Sequence, residues 1–159
     1  MASRQELEIE ADGVDIETLW RALTKDKIEV LQKAAPGLLT DGKILEGDEI
    51  ALGTLLYLNY GPATHELEPL KERIVEFDEG KHVLTFLGLE GGYLNLGFTH
   101  FLVTFKLDDV GGGKTKVNAS LTYDLKENFD GSQLLEEFFK LLHYYLDRVI
   151  TYLQQKHED

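Results

Sequence analysis

The chain has 159 residues, 43% of them hydrophobic, which suffices for one buried core and is too short for two domains of ordinary size. It carries 16 Lys and Arg against 29 Asp and Glu residues, and the formal net charge of -13 argues against nucleic acid and anionic membranes as partners. The absence of cysteine excludes disulfides and Cys-based zinc sites. Neither a membrane span nor a secretory signal is readable, so we expect a single cytoplasmic domain over residues 1–159.

The first predicted elements are a strand and two short helices. Acidic and apolar residues alternate over residues 6–11, which is the period of a half-buried strand. Asp15 is a candidate N-cap for the first helix, because its side chain can accept a hydrogen bond from the first turn. A second short helix is predicted over residues 26–35, and Pro36 and Gly37 directly after it are expected to end it.

The middle of the sequence reads as strands separated by polar or glycine-containing turns. We place six strands near residues 40–47, 53–60, 68–77, 82–89, 95–107 and 115–125. A helix is then predicted from about Ser132 to His157, with an apolar arc wider than a surface helix needs. The order indicates an α+β fold in which a curved seven-stranded antiparallel sheet wraps around the long C-terminal helix, with the two short helices after strand 1.

Several local motifs carry a family resemblance. They are residues 46–48 (EGD) followed by 53–54 (GT), and residues 71–73 (KER) followed by 90–97 (EGGYLNLG). Together with the order of elements, they resemble the plant pathogenesis-related class 10 family, which includes the birch pollen allergen, and within it the norcoclaurine synthase-like branch. The resemblance implies a helix-grip fold, a role in plant defence, and an internal cavity for small hydrophobic aromatic secondary metabolites.

The resemblance also implies an alternative function as an enzyme. Norcoclaurine synthases condense dopamine with an aldehyde in a Pictet-Spengler reaction, using a tyrosine, a glutamate, a lysine and an aspartate. The matching positions here are Leu70, Glu72, Leu84 and Val103, so only the glutamate is kept. Apolar residues at the other three positions make the predicted cavity drier, which favours planar apolar ligands such as polyphenols over a charged amine.

Glu72 is the candidate catalytic residue. It lies between Leu70 and Ile74 at strand spacing, so it points inward if they do. Burial would raise the pKa of its carboxyl group and make it a usable general acid or base. The alternative interpretation is that the register of this strand is offset, or that the Glu72 carboxylate merely pairs with Lys71, Arg73 or a buried hydroxyl.

The remaining inward positions are predicted to line the pocket or fill it. Strand alternation and the apolar arc of the last helix select the ligand-binding set of Leu56, Leu58, Tyr60, Leu70, Leu84, Phe86, Phe101, Val103, Phe105, Phe138, Leu142 and Tyr145. No metal site and no cofactor are expected, because the five histidines show no ligand spacing: His65, His82, His100, His143 and His157.

Two hypotheses about function follow. The first is a binding protein that stores, carries or protects an aromatic metabolite; the second is an enzyme that condenses or cyclises an aromatic substrate with Glu72 as general acid or base. A third possibility, a defence protein that acts on RNA, fits poorly with the charge of -13.

We expect a monomer or a weak homodimer. The dimer is suggested by apolar residues on the opposite faces of the strands, namely Val83, Leu87, Leu89, Phe98 and Leu102.

Overall fold

The computed structural model describes residues 2–64 and 67–158. The elements in chain order are β1 (Ser3–Asp12), α1 (Ile16–Leu23), α2 (Lys27–Ala34), β2 (Leu39–Glu46), β3 (Leu55–Tyr60), β4 (Leu70–Asp78), β5 (Val83–Glu90), β6 (Phe98–Gly111), β7 (Lys114–Leu125) and α3 (Ser132–Glu158). Short 3-10 helices cover Pro62–Thr64 and Gly92–Leu96. The predicted α+β plan is confirmed, with boundaries that differ by a few residues.

The two short helices begin differently. The Asp15 side chain accepts a hydrogen bond from the Thr18 backbone N–H at 3.1 Å, which confirms the predicted N-cap of α1. The Asp26 side chain makes no such bond at the start of α2. The buried positions of α2 are Lys27, Val30, Leu31 and Ala34, the i, i+3, i+4, i+7 spacing of one helix face.

The seven strands form one antiparallel sheet in the order β1-β7-β6-β5-β4-β3-β2. Register shifts interrupt the pairing of β2 with β3, of β4 with β5 and of β6 with β7. Such bulges bend a strand and increase its twist, which lets the sheet curve around α3. The helix meets the sheet through a continuous buried stripe, whose best-enclosed residues are Leu146 and Val149.

One side chain expected on the outer face lies inside. Phe98 is 1% exposed, and its ring packs 5.4 Å from that of Phe101 and 5.8 Å from that of Tyr123. The register shift between Phe98 and His100 explains the error, because an extra residue in a strand reverses the face on which its neighbours lie. The predicted apolar outer surface therefore loses Phe98, and Leu89 is the most exposed of its other four residues at 43%.

Within the described part of the chain, we find no helix whose length and apolar character would let it cross a lipid bilayer.

Candidate functional site

A cavity of about 120 Å³ lies between the inner face of the sheet, α2 and α3. Among the described residues that line it, polar side-chain atoms come from Lys27, Glu72 and three tyrosines. The full lining set is Lys27, Leu31, Leu38, Leu39, Leu58, Tyr60, Leu67, Leu70, Glu72, Phe86, Tyr93, Phe101, Val103, Phe105, Phe138, Leu141, Leu142 and Tyr145. The wall is thus largely aliphatic and aromatic, with one pair of opposite charges.

A larger depression of about 630 Å³ lies between β1 and α3. Its wall is mixed, with Gln5, Glu136 and Lys140 beside Leu7 and Phe139, and it opens broadly to solvent. Specific small-molecule sites are concave and mostly apolar, with few polar groups. The interior cavity fits that description and the surface depression does not.

Most of the residues predicted to line a pocket do line this cavity. The two exceptions are Leu56 and Leu84, which are fully buried in the core and contribute nothing to the cavity wall. Leu84 is paired with Phe77, whose ring lies 5.5 Å from Trp20, so it packs towards the α1 end of the sheet. Leu56 is paired with Ile44 and Glu72 on the neighbouring strands and has no accessible surface.

Lys27 lines the cavity although the sequence did not predict it there. A lysine at the start of a short helix is usually solvated, but this side chain is only 7% exposed. Its spacing to Val30, Leu31 and Ala34 was the available signal, since the four positions share one face of α2. Tyr93, which is not in the predicted ligand-binding set, also lines the cavity; the 3-10 helix after β5 brings its ring nearly parallel to that of Phe101, with centroids 5.6 Å apart.

Glu72 points inward, as the strand spacing predicted. Its side chain is 9% exposed, and Leu70 and Ile74 on the same face of β4 are buried as well. The suggested partners Lys71 and Arg73 lie on the opposite face, where they pair with Glu90 at 3.5 Å and with Glu46 at 3.1 Å. Neither therefore neutralises Glu72, so the suggested pairing with Lys71 or Arg73 is wrong.

The partner of Glu72 is Lys27. The distance from Lys27 Nζ to Glu72 Oε1 is 3.8 Å, which is close enough for an ion pair and too long for a hydrogen bond. Glu72 Oε1 accepts no hydrogen bond from the described residues. The carboxyl group therefore retains hydrogen-bonding capacity towards the cavity.

Burial shifts the pKa values of this pair in opposite directions. Desolvation raises the pKa of the Glu72 carboxyl group and lowers the pKa of the Lys27 ammonium, while the attraction between them opposes both shifts. Desolvation is the larger effect, because the two side chains are 3.8 Å apart and do not share a hydrogen bond. Both groups are thus moved towards their neutral forms, an acid that can donate a proton and an amine that can accept one.

The surroundings of the pair are aromatic. Lys27 Nζ lies 3.7 Å from the centroid of the Phe86 ring and 5.8 Å from that of Tyr145. The Tyr145 hydroxyl is buried without a hydrogen-bond partner among the described residues. Burial, together with the nearby charge of Glu72, raises the pKa values of Tyr60 and Tyr145, so both phenols remain protonated donors.

The described residues hold no group of three or more His, Asp or Glu side chains arranged to bind a metal ion. His82 lies outside the cavity; its Nε2 is 2.6 Å from Glu17 Oε1, and its ring meets Trp20 edge-on. His100 and His143 are also absent from the cavity wall. His65 and the side chain of His157 lie outside the described residues.

The sheet, the gripped helix and the cavity between them define a helix-grip fold. The chain is similar in sequence to plant synthases. It is 27% identical to norbelladine synthase from Narcissus pseudonarcissus over 123 residues, which are 77% of this chain and 73% of that protein. It is 30% identical to S-norcoclaurine synthase from Thalictrum flavum subsp. glaucum over 126 residues, which are 78% of this chain but only 57% of that protein. No family model matches the sequence.

Solved structures agree on the fold. The structure of norcoclaurine synthase from Thalictrum flavum in complex with dopamine and hydroxybenzaldehyde superposes with a TM-score of 0.78 at 20% identity, covering 98% of this chain and 88% of that one. The structure of Ara h 8.0201 gives a TM-score of 0.80 at 17% identity and covers 98% and 99%. The resemblance inferred from the sequence motifs is confirmed by these relatives and neighbours.

Proposed function

We propose that the protein binds a small hydrophobic aromatic metabolite in its interior cavity and stores, carries or protects it. The cavity wall supports this proposal, because its aliphatic and aromatic side chains surround one buried charge pair. A planar ring gains contact with Phe86, Phe101 and Phe105, and a polar substituent reaches the Tyr145 hydroxyl or Glu72.

The cavity volume limits the ligand. An apolar cavity of about 150 Å³ accommodates benzene, so the space of about 120 Å³ here matches a single aromatic ring. This size argues against the polyphenols expected from the sequence, unless α2 or α3 moves to admit further rings. One-ring phenols are the preferred candidates.

Calorimetric titration with 4-hydroxybenzyl alcohol tests the binding function. Leu142→Trp fills the cavity from α3 and should abolish saturable binding. Leu89→Trp is the matched control, because Leu89 is 43% exposed on the outer face of β5, and it should bind as the original protein does. Saturable binding that survives Leu142→Trp would contradict the proposed location.

The alternative is an enzyme that condenses or cyclises an aromatic substrate, with Glu72 as general acid or base. It is favoured by the Lys27–Glu72 pair on the cavity wall, since the two groups can exchange protons with a bound substrate. Turnover of dopamine with 4-hydroxybenzaldehyde should be lost in Glu72→Gln and kept in Glu90→Gln, whose carboxylate is exposed. Unchanged turnover in Glu72→Gln would exclude this role.

We further propose that residues 1–159 act as one cytoplasmic ligand-binding domain with a part in plant defence. Nucleic acid and membranes are not expected as partners, in keeping with the net charge of -13. The partly exposed outer residues Val83, Leu87 and Leu89 support a monomer or at most a weak homodimer. Light scattering over a concentration series would distinguish the two states.

A further inference from the structure

We infer that Lys27 captures a one-ring aromatic aldehyde in the cavity as a covalent, reversible imine, with Glu72 as the acid and base of the reaction. The inference rests on the proposed binding function and names its ligand class. It assigns a role to a residue on α2, whereas the lysine implied by the family resemblance falls at Leu84 on β5.

The position of Lys27 supports this role. It is the first residue of α2 and lies on the buried face of the helix, so its side chain is only 7% exposed and lines the cavity. Phe86 lies against one side of the amine at 3.7 Å, and the ring of Tyr145 lies farther away at 5.8 Å. An aldehyde whose ring packs in the cavity therefore brings its carbonyl carbon close to Nζ.

The surroundings also favour the reactive form of the amine. Only an unprotonated amine attacks a carbonyl group, and buried lysines lose their proton more readily than exposed ones. Desolvation lowers the pKa of Lys27. Lys33, six residues later on the same helix, provides the contrast, because it is exposed and its pKa is raised by the ion pair with Glu29 at 2.8 Å.

The reaction balances with the groups present. The Lys27 nitrogen attacks the aldehyde carbon; the carbonyl oxygen takes the Glu72 proton, and the nitrogen returns a proton to Glu72, which leaves a carbinolamine. Glu72 then protonates the hydroxyl group, which departs as water when the C=N bond forms, and recovers its proton from the iminium nitrogen. The net change is aldehyde plus amine to imine plus water, without an oxidant or reductant.

Reductive trapping of the full chain tests the inference. The protein is incubated with 4-hydroxybenzaldehyde and sodium cyanoborohydride, digested, and mapped by mass spectrometry for lysines that gain the mass of the aldehyde less one oxygen. We expect at least about tenfold more adduct on Lys27 than on Lys33, because desolvation lowers the pKa of the first amine and the ion pair with Glu29 raises that of the second. Equal labelling of the two lysines, or no adduct on Lys27, would overturn the inference.

Two further measurements separate this inference from the proposed function. 4-Hydroxybenzyl alcohol has the same ring without a carbonyl group, so saturable binding of the alcohol without Lys27 labelling refutes imine formation and keeps the binding function. If the alcohol does not bind and Lys27 is not labelled, both the binding function and imine formation are refuted. Glu72→Gln retains Lys27 and should slow its labelling at least about tenfold relative to Glu90→Gln; labelling at an unchanged rate would remove Glu72 from the reaction.

Discussion

Lys27 Nζ lies 3.8 Å from Glu72 Oε1, with only 7% and 9% of the two side chains exposed. The residues come from α2 and β4, which are far apart in the sequence, and they meet only because α2 packs over the inner face of the sheet. Buried charge pairs seldom stabilise a fold more than apolar residues of the same size would. Their placement on a cavity wall therefore suggests a role in binding or chemistry, and their energetics can be tested directly.

Lys27→Met should destabilise the protein by about 1–3 kcal/mol, because it leaves Glu72 buried without its partner. The double variant Lys27→Met, Glu72→Leu should return to within about 1 kcal/mol of the original stability, since apolar side chains replace both polar groups. Urea unfolding at neutral pH measures both. Lys33→Met is the control, because that exposed lysine should change the free energy of unfolding by no more than about 0.5 kcal/mol. Strictly additive losses in the double variant would contradict the coupling.

The stability of Lys27→Met should fall as pH rises above 4.5, the ordinary pKa of a glutamate. Burial raises the pKa of Glu72 in the folded state, so the folded protein binds the proton more tightly than the unfolded chain does. The contribution of Glu72 is complete below 4.5 and is lost as pH rises through the raised pKa. Chemical unfolding over a pH series should show this fall in the free energy of unfolding, relative to the double variant Lys27→Met, Glu72→Gln. Parallel pH profiles of the two variants would show that the Glu72 pKa is not raised.

Tyr145→Phe should increase the free energy of unfolding by about 1 kcal/mol. The hydroxyl is buried and has no hydrogen-bond partner among the described residues, so its removal ends an uncompensated desolvation cost. The neighbouring Tyr144 is 41% exposed, and Tyr144→Phe should leave stability unchanged. Thermal unfolding of the two variants gives the comparison. A loss of stability in Tyr145→Phe would mean that the hydroxyl is paired in solution.

The fold was predictable because its signals are local. Strand alternation, the Asp15 cap and the wide apolar arc of the last helix each depend on residues that are close together in the sequence. The same alternation placed Glu72 on the inner face, since Leu70 and Ile74 fixed the direction.

The errors arise where alternation is insufficient. Strand alternation gives the face on which Leu84 lies but not its distance from α1. It also gives the wrong face for Phe98, where a bulge changes the register. Lys27 was overlooked for a different reason. Its burial depends on the packing of α2 across the sheet, and a charged residue at a helix start is ordinarily solvated.

Gly91→Ala should cost at least about 2 kcal/mol more than Gly53→Ala in unfolding measurements. Both glycines have positive φ, 80° and 89°, so a side chain strains the backbone at either position. A Cβ atom at Gly91 would in addition overlap the Pro69 carbonyl oxygen, whereas nothing lies within 4 Å of one at Gly53.

The position of Gly91 extends this prediction to ligand binding. The close approach of Gly91 to the Pro69 carbonyl oxygen holds the end of β5 against the start of β4. It also sets the start of the 3-10 helix that carries Tyr93. Because Leu70 and Tyr93 both line the cavity, Gly91→Ala should also weaken binding of 4-hydroxybenzyl alcohol, while Gly53→Ala should not. Equal stability and equal affinity in the two variants would show that the contact with Pro69 does not constrain this wall of the cavity.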